Sequence, residues 1–209
     1  MGKREQSFTF LKKSGSLGLI TAVFFLLAVY GLIASSNILF IAGLFTILSI
    51  YSRIYSCKAP LDISVIGIGS ICIAVVSDVW LAAIFGFSMW FITMMWQPYI
   101  EFSYQIPHAI ASFIVMLFFP LFISYAGKNL VLMAVSYALV KFIIESILFT
   151  PLLRPATIIP DLIFNLQELP FTIFYTAIVM QFFAGPILLS LGISGWETGS
   201  LWLFIKMIF

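Results

Sequence analysis

Lys141 and Glu145 stand four residues apart inside an otherwise uncharged apolar run. At that spacing they share one face of a helix and are close enough to form an ion pair, although the Lys-before-Glu order is the less favourable one. An ionised side chain in hydrocarbon costs roughly 2.5–3.5 kcal/mol on insertion scales. The pair therefore either neutralises itself against neighbouring helices or serves a substrate or ion. His108, the one histidine, follows Pro107 in the first turn of an earlier apolar run, where water is near. Asp161, Asn165 and Glu168 recur at i, i+4 and i+7, on one side of a short helix bounded by Pro160 and Pro170. Lys141, Glu145, His108, Asp161, Asn165 and Glu168 are the candidate substrate-binding residues. Asp78 after Ser77 reads as a turn, given the preference of Asp for turns.

No catalytic set is complete. Gly86-Phe87-Ser88 has the Gly-x-Ser form of an intramembrane serine protease, but His108 lies twenty positions on at a helix start and does not face the serine from a later span. The sequence has no His-Glu-x-x-His, no paired Asp motif and no Gly-rich phosphate loop. No metal site or cofactor is assigned, since a single histidine builds no metal site and Cys57 and Cys72 read as inert thiols. Pro120, in the middle of a span, and Gly185-Pro186 inside the last one each remove a backbone hydrogen bond and kink the helix. Broken helices near the midplane are where transporters place substrate sites.

Composition says what solvent these residues live in. Of 209 residues, 63% are hydrophobic, 17% aromatic and only 9% charged, against about 25% in soluble domains. The mean hydropathy is +1.17. That excludes an ordinary soluble domain and a disordered chain. Beyond Lys13 there is no basic stripe for nucleic acid. The implied fold is all-α, a polytopic transmembrane helix bundle of six to seven spans in a single integral membrane domain, residues 1–209.

A span needs about 20 apolar residues to cross roughly 30 Å of hydrocarbon. The uncharged stretch between Lys13 and Arg53 holds 39 residues, divided by Ser35-Ser36-Asn37 into spans 17–35 and 38–54. The interval 63–97 is either two short spans, 63–78 and 80–97, or one span with a re-entrant piece. Spans 107–126, 130–150 and 170–193 follow. Residues 1–16 read as a cytoplasmic basic amino terminus carrying Lys3, Arg4, Lys12 and Lys13. Residues 154–169 read as an amphipathic loop, since the three prolines between Arg154 and Pro170 bar one continuous helix. Its apolar side, Leu162, Ile163 and Leu166, should rest on the bundle. Residues 197–209 read as an interfacial segment. Charge favours six spans, with Lys128 and both termini in the cytoplasm, while span lengths favour seven.

This layout resembles the substrate-binding (S) component of energy-coupling factor vitamin transporters. The residues that carry the likeness are Ala82-Ala83-Ile84-Phe85-Gly86-Phe87-Ser88, the break Ile106-Pro107-His108-Ala109, and the loop 154–169. The resemblance implies six helices with cytoplasmic ends, a loop closing over a micronutrient, and a coupling subunit in the membrane. The first span lacks the Ala-x-x-x-Ala docking patch, since Ala22, Ala28 and Ala34 are six apart. Small-molecule transport, with a pocket formed by spans 107–126, 130–150 and 170–193 under the loop, is the leading expectation. A non-catalytic subunit of a larger membrane complex is second, and a lipid-modifying enzyme third.

Overall fold

A computed structural model describes residues 3–56, 64–95, 102–153, 155–193 and 195–197, and every regular element among them is helical. Helix α1 (Lys3–Ile33) and helix α2 (Asn37–Ser56) form a hairpin that turns at Ser35, whose φ is +55°. The basic amino-terminal segment thus continues the first span as helix from Lys3 onward. The two helices touch through small residues: a Cβ on Gly43 would lie 2.7 Å from the Phe24 carbonyl oxygen and 2.8 Å from the Ala28 nitrogen. Close backbone approach of this kind is how helices associate where lipid removes the hydrophobic drive.

Helices α3 (Ile66–Val76) and α4 (Val79–Met94) make a second hairpin. Its tip is Ser77-Asp78, where Asp78 Oδ1 accepts the Leu81 N–H at 2.8 Å and caps α4. At 1.5 Å per residue the arms are about 16 and 24 Å long, short of a full crossing. Helix α3 is buried along most of its length. The interval 63–97 therefore goes out and comes back, so that α4 ends where α2 ended.

Helix α5 (Phe102–Leu117) contains Pro107 and meets α6 (Phe119–Ala126) at a bend of 55°. Pro120, second in α6, has no N–H for the Met116 carbonyl, and the chain resets there through Phe118 N–H to Val115 O at 3.0 Å. Gly127 at φ +61° ends α6, and Asn129 caps α7 (Leu130–Ile143). Helix α7 runs through a wide π turn, Ile144–Phe149, into α8 (Thr150–Leu153). A 3₁₀ turn, Pro155–Thr157, leads to α9 (Ile158–Val179), a second π turn, Met180–Ala184, and α10 (Gly185–Ser190). A proline follows each π turn, Pro151 and Pro186. The widened turn takes up the clash between each ring and the carbonyl four residues before it.

Four helical stretches among the described residues are long and apolar enough to cross a membrane: Gly15–Ile33, Asn37–Ile54, Leu130–Leu153 and Pro155–Ser190. The bent pair α5–α6 makes a fifth if counted as one span. Six or seven spans are not shown: the α3–α4 arms are short, and four to five stretches among the described residues qualify.

Residues 154–169 also differ from expectation. Arg154 lies outside the described residues, and from Ile158 onward the segment is the first half of α9, not a separate loop. Pro160 sits in the first helical turn, where its missing N–H costs nothing, and Pro170 is accommodated within the helix. Its amphipathicity is inverted: Ile163 and Leu166 are exposed while Asn165 and Glu168 turn inward. Exposed Leu19, Leu26, Ile147, Leu152 and Phe182 likewise give the bundle an outer apolar surface suited to lipid. Of the carboxyl-terminal segment, 198–209 lies outside the described residues. Glu197 is bound by its backbone to Lys128 and Leu130.

Candidate functional site

Lys141 stands at the middle of the 24-residue stretch Leu130–Leu153, so its charge falls near the centre of a span. Its ammonium donates to Glu145 Oε2 at 2.5 Å, the i, i+4 pair expected from the sequence. The other oxygen, Oε1, lies 2.7 Å from His108 Nδ1 on α5. Lys141 Nζ also comes within 3.3 Å of that nitrogen. One nitrogen cannot both donate to the carboxylate and accept from the ammonium. The shorter contact assigns the proton: Nδ1–H donates to Oε1, and the ammonium and ring are neighbours around one shared carboxylate.

The triad is well shielded. The Glu145 and His108 side chains are 6% and 7% exposed, that of Lys141 19%. At 2.5 Å and an effective dielectric of 20, the Lys–Glu attraction is on the order of 6–7 kcal/mol, set against several kcal/mol of desolvation for each ion. Trp90 on α4 forms the wall. Its indole stacks on the His108 ring at 4.5 Å and 15°, and carries Arg53 Cζ at 4.4 Å and Lys141 Nζ at 4.8 Å from its centroid. Trp90 Nε1–H donates to Ser112 Oγ at 2.7 Å.

Trp90, His108, Ser112, Lys141 and Glu145 line a cavity of about 90 Å³. The π turn Ile144–Phe149 brings Glu145 and Ser146 to the wall, and Asn165 Nδ2 on α9 donates to Ser146 Oγ at 2.9 Å. Glu168, Thr172 and Thr176 complete the α9 side, while Ser64, Gly67 and Ile68 close the α3 side. Gly67 is small for a reason: a Cβ there would lie 2.3 Å from the Tyr137 ring. The Tyr137 hydroxyl sits beside Ser112 with no well-formed hydrogen bond among the described residues.

Five of the six candidate residues therefore meet in one cavity: Lys141, Glu145, His108, Asn165 and Glu168. Asp161 does not. It lies one turn too early on α9, and its carboxylate accepts from Thr157 Oγ1 at 2.7 Å. His108 is not interfacial, because α5 begins at Phe102 and carries it into the bundle. The kinks at Pro120, Gly185 and Pro186 lie away from the cavity wall. Arg53, Trp90, Ser112, Tyr137 and Ser146 are participants that sequence reasoning missed. Pro151, one turn after Glu145, is the signal that could have marked the π turn. Among the described residues no three His, Cys, Asp or Glu side chains converge as metal ligands would.

No family model matches this chain, and neither does any curated protein or solved structure. What stands is a helical protein with several candidate membrane spans and a charged cavity between them.

Proposed function

We propose that this is an integral membrane protein that captures a small polar solute in the Lys141–Glu145–His108 cavity and carries it across the bilayer. The observation that supports this most is a buried ionic triad at mid-span lining a void. A purely structural ion pair gains nothing from lining a cavity, whereas intramembrane ionisable groups characteristically mark solute or ion pathways. The cavity is small. Its volume of about 90 Å³ compares with roughly 300–1,000 Å³ in drug-sized pockets. A vitamin-sized ligand, as the resemblance to energy-coupling S components implies, is larger than this volume.

Basic residues Lys3, Arg4, Lys12, Lys13 and Arg53 belong to one end of the chain's alternating path, where α1 begins and α2 ends. The positive-inside rule makes that end cytoplasmic. A headgroup-modifying enzyme would want its polar groups at headgroup depth, and mid-span Lys141 argues against it. The subunit reading has one observation of its own: the α1 span is only 11% buried, against 56% for Leu130–Leu153, so α1 has a face for another helix.

The test is what the purified protein carries. Mass spectrometry of solutes extracted from the full chain in mild detergent should find a polar molecule retained by the wild type and lost from Lys141→Met/Glu145→Leu. A wild type that carries no solute, and instead holds a stable membrane protein partner through α1, overturns the proposal in favour of the subunit.

A further inference from the structure

The triad shares one carboxylate between two nitrogen bases, and this sets a charge rule for whatever enters the cavity. With His108 neutral, Lys141 and Glu145 cancel. With His108 protonated, one carboxylate faces two cations, and an uncompensated charge sits in a low-dielectric space. Every element around His108 bears on this balance. Helix α2 contributes Arg53 through Trp90; the α7 stretch contributes Lys141, Glu145 and the Tyr137 phenol; α9 contributes Glu168. From α3 and α4 the lining is Ser64, Gly67, Ile68 and Trp90, none of which titrates. Arg53 adds a further positive charge against Trp90, and Glu168 a negative one on the α9 wall.

We infer that the cavity takes a small monocarboxylate together with one proton, the proton going to His108 and the anion to the positive charge so created. This deepens the solute-capture reading and rests on it. Three features point to an anion of a few heavy atoms. The cavity is small, about 90 Å³. The Tyr137 hydroxyl, buried on the wall without a well-formed hydrogen bond, supplies a donor for an acceptor oxygen. The Asn165 amide and the Lys141 ammonium each have donor hydrogens beyond the one bond given to Ser146 and to Glu145. Proton and anion enter as a neutral sum, which avoids carrying a net charge through hydrocarbon.

The experiment is calorimetric titration of the detergent-purified full chain with sodium acetate between pH 6 and 8, in two buffers of different ionisation enthalpy. Acetamide and ethylammonium serve as neutral and cationic probes of similar size. The expected result is uptake of about one proton per acetate bound, with Kd rising about tenfold per pH unit across the range where the free protein is unprotonated. In His108→Gln, which keeps an N–H for Glu145, proton uptake should vanish and the affinity lose its pH dependence. If that variant does not fold, the proton count from the wild type in the two buffers decides alone. Acetate binding without proton uptake, or no acetate binding at all, overturns the inference. Binding of acetamide or ethylammonium in its place would overturn it too while leaving solute capture standing. Capture itself fails on its own readout, an empty protein after purification.

Discussion

Replacing Lys141 by methionine leaves Glu145 buried at 4% exposure with one former partner gone. The lost attraction at 2.5 Å is on the order of 6–7 kcal/mol at an effective dielectric of 20. Part returns as the desolvation no longer spent on the ammonium, and His108 at 2.7 Å still donates to the other oxygen. The net loss should be about 3–5 kcal/mol, the usual cost of stranding one member of a buried pair. For a chain of this length that lowers Tm by roughly 10 °C. Cys72, wholly buried on α3, provides the assay: in a Cys57→Ser background, a thiol-reactive dye reports the temperature at which the bundle opens. Lowering the pH from 8 to 5.5 should return part of the loss, since protonating either Glu145 or His108 removes the unpaired charge. The double variant Lys141→Met/Glu145→Leu should melt within a few degrees of the wild type. If the single variant is as stable as the double, Glu145 is not held in the low-dielectric site described, and the argument for a functional triad collapses.

Three further outcomes follow from the geometry. Gly67→Ala forces a Cβ into the Tyr137 ring and should cost about 1–3 kcal/mol, with a larger loss of retained solute than Gly69→Ala at matched stability; Tm and extracted solute measure both. Asp78→Ala removes the cap of α4 and should cost about 1 kcal/mol without touching the cavity, so melting shifts while solute retention does not. Because the α3–α4 hairpin returns to the end it left, a single cysteine at the exposed position 128, in a background lacking Cys57 and Cys72, should be labelled by an impermeant reagent from outside intact cells. Labelling only after the membrane is permeabilised would restore the six-span arrangement.

The charged pair was legible because helical spacing and the cost of charge in hydrocarbon act locally: Lys141 and Glu145 are both read from one run of residues. Their third partner was not. Nothing in the sequence near His108 says that α5 starts at Phe102 and not at Pro107, and that one turn of difference moves the imidazole from the surface to a buried contact with Glu145. Trp90 and Arg53 were hidden by their own commonness: an indole near a span end reads as interfacial belt, and an arginine between spans as loop charge. The existence of α1, α2 and α7 followed from run length alone. The hairpin at 63–97 was one of two permitted readings, because an apolar run has no periodicity that separates a full crossing from a short arm.

The clearest misreading concerns residues 161–168, and its cause is general. In water an amphipathic helix turns Leu162, Ile163 and Leu166 toward the bundle and Asp161, Asn165 and Glu168 outward. In lipid the outside is apolar, so the sign reverses: Ile163 and Leu166 are exposed, and Asn165 and Glu168 point to the cavity. The same inversion explains why a segment with Pro160 and Pro170 is a helix at all. A bilayer leaves no water to satisfy open backbone groups, so the chain keeps its helical bonds and tolerates one missing N–H at Pro170 over unfolding the turn. Read with that sign, the i, i+4, i+7 pattern is no lid resting on the bundle from above. It is part of the cavity wall, held to the π turn by the Asn165–Ser146 hydrogen bond, and any opening of the cavity must break that bond or bend α9 beyond it.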